Sequence, residues 1–171
     1  ELSPELLLYG CIFYANGYEL SGTGHGHHVY LQNRDGTKHI VDNVLAHAFG
    51  FGIHAYADND TYYAQGYEIR GNVSFQNGSA TSGESKLYDN FMIGHNESHP
   101  VARLELRENY GWAQGPGERD VRLGWNAPNE DAKLLDNYFV GMTIFQPSWS
   151  SVEMSGNTFY GEVQGVDPAG R

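Results

Sequence analysis

Placing Val29 on Ile53 also places Tyr30 on His54, Leu31 on Ala55 and Gln32 on Tyr56, an offset of 24 residues. A self-match at a period of this length means a solenoid, a propeller or an array of stacked units. A second pattern runs further. Ile40-Val41-Asp42-Asn43-Val44-Leu45 is echoed by Ile69-Arg70-Gly71-Asn72-Val73-Ser74-Phe75, then by Leu106-Arg107-Glu108-Asn109-Tyr110, Leu135-Asp136-Asn137-Tyr138-Phe139 and Met154-Ser155-Gly156-Asn157-Thr158-Phe159. Leu87-Tyr88-Asp89-Asn90-Phe91 is a sixth match, and Leu8-Tyr9-Gly10-Cys11-Ile12-Phe13 is a degenerate copy with Cys11 at the asparagine position. Successive asparagines of the main register stand 29, 37, 28 and 20 residues apart. A helical repeat does not vary so much in length. Coils of a β-solenoid do, because loops are inserted between fixed strands.

The flanking runs alternate. Val29 and Leu31, Ile53 and Ala55, Leu104 and Leu106 are apolar, whereas Tyr30 and Gln32, His54 and Tyr56, Glu105 and Arg107 are polar or aromatic. A period of two with one buried face is a β-strand signature. No window carries sustained i, i+3, i+4 apolar spacing, so essentially no helix is expected. Strands are expected at 6–14, 28–32, 39–45, 52–57, 67–75 (bent at Gly71-Asn72), 87–93, 102–107, 120–125, 133–140, 142–146, 151–155 and 158–163. Glycine- and serine-rich loops are expected at 15–27, 76–86 and 111–119. Stacked in parallel, each asparagine meets its own kind. Its amide can then bond along the stack, and the residue tolerates a left-handed turn.

At 171 residues the chain is one domain, 1–171, with a sizeable core. A net charge of −11 speaks against nucleic acid and anionic membranes as partners and permits a divalent cation. A single cysteine, Cys11, excludes an internal disulfide, and its plainest role is that of a small buried hydrophobe. No apolar run is long enough for a transmembrane helix. The abrupt start and the want of polar caps predict a segment of a longer protein, with any secretion signal upstream.

The recurring "(I/V/L)-x-(D/G)-N-x-x-(F/L)", with "G-(I/V)-(H/Y)-x-(Y/Q)", resembles the right-handed parallel β-helix proteins of the pectin- and pectate-lyase-like group, and within it bacterial repeat-containing members. The resemblance covers about residues 8 to 163. It implies an all-β solenoid of about six coils. It also implies an extracellular or cell-surface setting, with a polysaccharide as partner. The group includes lyases, glycoside hydrolases, epimerases and non-catalytic adhesins, so activity does not follow from the fold. No run here matches the catalytic-strand motifs of the pectate lyases or polygalacturonases.

The outward row carries the expected chemistry. Tyr30, Gln32, His54 and Tyr56 would lie on adjacent rungs roughly 5 Å apart, with Arg122 and Trp125, then Thr143 and Phe145, on later ones. Rings stack on the apolar face of a sugar and amides bind its hydroxyls. His54, Tyr30 and Tyr56 are the candidate acid and base for β-elimination at a uronate, and Gln32, Arg122, Trp125 and His28 the candidate substrate contacts. The alternative is a solvated sheet face of a non-catalytic adhesin. Hydrolysis usually needs two carboxylates, and this row has none at 28–32 or 52–56, so a glycoside hydrolase is disfavoured. His25 and His27 point the same way on an extended chain and could share a cation. Without a matching carboxylate or Cys, however, a closed zinc site is unsupported. Asp58-Asn59-Asp60 resembles the start of a calcium loop but lacks the Gly and the distal Glu, so polar turn is the better reading and calcium at Asp58 and Asp60 the weaker one. Asn43, Asn72, Asn109, Asn137 and Asn157 are expected to form a structural ladder.

Overall fold

The computed structural model describes residues 5–57, 61–79, 81, 89–96, 99–126 and 128–166. The candidate cation residues Asp58 and Asp60 lie outside them. Among the described residues every regular element is a strand, and no helix is long and apolar enough to cross a membrane.

In chain order the strands are β1 (Glu5–Tyr9), β2 (Ile12–Tyr14), β3 (Tyr18–Leu20), β4 (Thr23–His25) and β5 (Val29–Leu31). Then come β6 (Thr37–Val41), β7 (Val44–Ala46), β8 (Ile53–Ala57), β9 (Gln65–Arg70), β10 (Val73–Phe75) and β11 (Phe91–His95). β12 (Ala102–Arg107), β13 (Tyr110–Trp112), β14 (Arg119–Leu123), β15 (Asn129–Leu135), β16 (Tyr138–Val140) and β17 (Met142–Phe145) follow, and β18 (Trp149–Ser155), β19 (Thr158–Tyr160) and β20 (Val163–Gln164) complete the set. Apart from β3 and β4, every third strand pairs with its counterpart. The first sheet is β1-β6-β9-β12-β15-β18, the second β2-β7-β10-β13-β16-β19 and the third β5-β8-β11-β14-β17-β20. All pairings within these three sheets are parallel. Strands of the same sheet are stacked as in a β-helix.

Period-two alternation sends one face of each sheet into a shared core. Leu8, Ile40, Ile69, Leu106, Leu134 and Met154 form an inward row of the first sheet. Phe13, Leu45, Phe139 and Phe159 come inward from the second, and Leu31, Ala55, Ile93, Leu123 and Phe145 from the third. All of these belong to or pack on one apolar cluster. At about 25 cal/mol per Å² of apolar area removed from water, this core is the main source of stability.

Several expected strands, among them 6–14, 39–45 and 133–140, are in fact pairs of strands broken by a turn. The residue before the asparagine causes the break. Gly10, Asp42, Gly71, Glu108, Asp136 and Gly156 have φ of 67°, 54°, 67°, 55°, 56° and 68°. That left-handed step rotates the chain from the first sheet into the second. The asparagine itself does not take it, contrary to the sequence reading. Inside the expected loop 15–27, β3 and β4 form an antiparallel hairpin around Ser21 and Gly22, both with positive φ, as a two-residue hairpin turn requires. The expected loop at 111–119 begins with most of a second-sheet strand. Position 111 in that strand is glycine because a Cβ there would come within 3 Å of the Asp120 carboxylate.

Asparagines line the corner between the first two sheets. The N–H of Asn43 donates to Oδ1 of Asn72, Asn72 to Asn109, Asn109 to Asn137 and Asn137 to Asn157, each at 3.0 Å. The side-chain amides repeat the same steps at 2.9, 3.1, 3.0 and 2.8 Å. Cys11 stands at the head of the column, its N–H donating to Asn43 at 2.9 Å. Cys11 is only half-buried, less than its expected role as a buried hydrophobe. A second, shorter column holds the corner between the second and third sheets. Nδ2 of Asn77 donates to Asn90 and Nδ2 of Asn90 to Asp120, both at 2.7 Å.

Candidate functional site

The outer face of the third sheet presents the row Tyr30, His54, Met92, Arg122, Ile144 and Gln164. Thr143 and Phe145 are not in it. They pair with Val121 and Leu123 and face inward, and Phe145 is part of the core. By contrast, the outer face of the second sheet carries two rows without a charged residue, from Ile12 to Thr158 and from Tyr14 to Tyr160. It offers no ionic group to orient a ligand.

Beside the row on the third sheet lies an open pocket of about 230 Å³ lined by Phe51, His54, Tyr56, Met92, Arg119, Arg122 and Trp125. The rings form a continuous aromatic surface. Tyr56 stacks on His54 at 5.1 Å, Tyr30 meets His54 edge-on at 5.1 Å, and Phe51 lies 4.6 Å from His54. His27 backs this group, packed edge-on to His54 at 4.4 Å, with its Nδ1 accepting the Phe51 N–H at 2.9 Å. Gln32 joins from the edge, its Nε2 donating to the Tyr30 hydroxyl at 3.3 Å.

A buried ion cluster adjoins these rings. The Asp89 carboxylate is fully buried. It accepts from Nη2 of Arg122 at 2.5 Å and from Nε of Arg119 at 3.0 Å. The Arg122 guanidinium also lies 4.6 Å from the Trp125 ring centroid and 5.7 Å from that of Phe51. Cation–π contact of this kind suits a planar guanidinium. Arg119 is one-third exposed, at the rim.

Burial decides the protonation states. It lowers His54 to about 3, with His27 and the positive Arg122 adding to the effect. His27 is lowered to about 4 by burial and by His25 and His28. Both imidazoles are therefore neutral near pH 7. Burial also lowers Arg122 and raises Asp89, but each is pulled back by the other's charge. Two guanidiniums within hydrogen-bond distance of Asp89 keep the pair ionised. Among the described residues, two buried polar atoms without a partner belong to the pocket, Nδ1 of His54 and Nε of Arg122.

Of the residues expected from sequence, His54, Tyr56, Arg122 and Trp125 therefore line one pocket, with Tyr30 and Gln32 on its margin. His28 does not reach it. Its side chain is buried, with Nε2 2.9 Å from the Ala46 carbonyl. His25 stacks on Tyr18 and His27 on Phe51, so each ring has its own aromatic partner. Among the described residues no three His, Cys, Asp or Glu side chains come together to hold a metal ion. Asp89, Arg119, Met92 and Phe51 were not singled out as site residues. The signal for Asp89 was the Asp-Asn of the sixth pattern match. Asn90 belongs to the polar column, so the preceding residue is held on the site side.

No family model matches this chain, and neither does any curated protein or solved structure.

Proposed function

We propose that this chain is a right-handed parallel β-helix of six coils whose third sheet binds a polysaccharide at the cell surface or outside the cell. The observation that carries the reading is the pocket wall of Phe51, Tyr56 and Trp125 set against a buried guanidinium. Aromatic rings take up the apolar face of a sugar, and a few convergent polar groups fix its orientation. The resemblance of the repeat to the pectin-lyase-like group supports the same ligand class.

Binding is favoured over β-elimination. A general base works best with a pKa near the operating pH, and His54 is lowered to about 3. Hydrolysis is disfavoured too, because none of the described pocket-lining residues is a carboxylate. The test is a panel of polysaccharides in solution. Binding that is lost in Tyr56→Ala and Trp125→Ala, with no unsaturated product by absorbance and no new reducing ends, supports the reading. Unsaturated product that disappears in His54→Ala would replace it with a lyase. Absence of binding across the panel would leave a structural segment of an adhesin.

A further inference from the structure

We infer that the pocket seats a saccharide ring through one oxyanion substituent, held directly by Arg122 and Arg119 without a bridging cation; this rests on the saccharide-binding reading. The charge balance is the first support. The chain carries −11 overall, yet among the described residues two guanidiniums share one carboxylate here, Asp89. A purely structural ion pair needs one partner for each charge. Here a second cation remains, placed at the rim where a ligand arrives.

Hydrogen-bond capacity is the second. A guanidinium offers five N–H donors, and Asp89 engages one from each arginine. Among the described residues Nε of Arg122 and Nδ1 of His54 find no partner although both are buried. Arg122 has only 9% of its side chain exposed. Burying such a group costs several kcal/mol before compensation. Asp89 offsets that cost, and it fixes the plane of the guanidinium against Trp125.

The remaining lining says what carries the anion. Phe51, Tyr56, Met92 and Trp125 are flat or apolar, and about 230 Å³ holds one ring rather than an extended ligand. None of the described lining residues is a carboxylate, and two of them are arginines, whose charge repels a divalent cation. The anion therefore meets the arginines directly. A ring carboxylate and a ring sulfate ester share this chemistry.

Titration calorimetry on the full chain, in chelator, tests it with three probes: an oligouronate, a sulfated oligosaccharide, and an uncharged oligosaccharide of matched linkage. At least one anionic probe should bind tenfold or more tightly than the neutral one, and its affinity should fall as salt rises. Which anionic probe wins identifies the substituent. Arg119→Gln, a rim change that leaves the buried pair intact, should remove most of that preference. Arg107→Gln, on the first sheet, should not. Because Arg122→Gln would leave the fully buried Asp89 with the rim residue Arg119 alone, it is paired with Asp89→Asn, and that double variant should also lose the preference. Equal affinity for neutral and anionic probes overturns the oxyanion seat but leaves saccharide binding standing. Anion binding that appears only when calcium is restored overturns direct contact. No binding to any of the three overturns both readings.

Discussion

Asp120 ends the second polar column with a carboxyl where an amide would serve better. Burial raises it to about 8, the Asn90 bond lowers it, and the charge of Asp89 raises it again. An acid whose folded value lies above its unfolded value near 3.9 favours the fold when protonated. Stability should therefore fall as pH rises from about 4 to about 8. Asp120→Asn keeps the acceptor for Asn90 and removes the titration. Its melting temperature should match wild type near pH 4 and exceed it increasingly toward pH 8; a constant difference across that range would disprove the assignment. His54 acts in the other direction. Its folded value of about 3 lies below the unfolded 6.5, so stability is lost as pH falls from about 6.5 toward 3. Nuclear magnetic resonance of the imidazole should find it neutral down to about pH 4. At this scale the sequence showed only part of the site. His54, Tyr56, Arg122 and Trp125 lay in alternating runs or close behind them. Asp89 and Arg119 did not stand out, because their role depends on a contact 30 residues apart in sequence.

The asparagine turn is the element that recurs, and its energetics follow from its bonds. Asn72 accepts from Asn43 and donates to Asn109 and to the Ile40 carbonyl. Asn72→Leu removes these bonds and the acceptor of the buried Asn43 N–H, and each buried group left unpaired costs about 1–3 kcal/mol. A loss of about 3–5 kcal/mol is expected in urea unfolding, and a smaller one for Asn157→Leu at the end of the column. Cys11→Asn should do the reverse. It adds a side-chain amide in reach of Asn43 Oδ1, already bonded by the Cys11 N–H, and should raise stability by about 0.5–1 kcal/mol. Strand placement was legible wherever alternation was clean: residues 102–107 match β12 at both ends. It failed where one apolar run crosses a corner, because hydrophobicity does not record a single left-handed residue. Asp42, Glu108 and Asp136 take that conformation with ordinary side chains, and composition alone gives no warning of it.

Across the whole molecule, the sequence revealed the stacking better than the outline of each strand. The 24-residue offset corresponds to a real register, with Val29, Tyr30 and Leu31 paired to Ile53, His54 and Ala55. What it could not reveal is which outward positions gather into a pocket, since that depends on how the segments around Phe51 and Trp125 close over the sheet. The asparagine column has a further consequence. Its four backbone steps span 29, 37, 28 and 20 residues, yet all measure 3.0 Å. The column works as a ruler. It sets the pitch of the molecule independently of how much chain lies between two marks, so length can vary freely elsewhere. The stretch holding Gly115 and Gly117, with open space around both, is a place to extend it. Doubling a loop costs only about 0.6 kcal/mol in closure entropy. Six added Gly/Ser residues there should lower the melting temperature by only a few degrees, whereas one residue inserted between Asp136 and Asn137 should prevent cooperative folding. The loops can thus be rebuilt, by evolution or by design, on a scaffold whose spacing does not move.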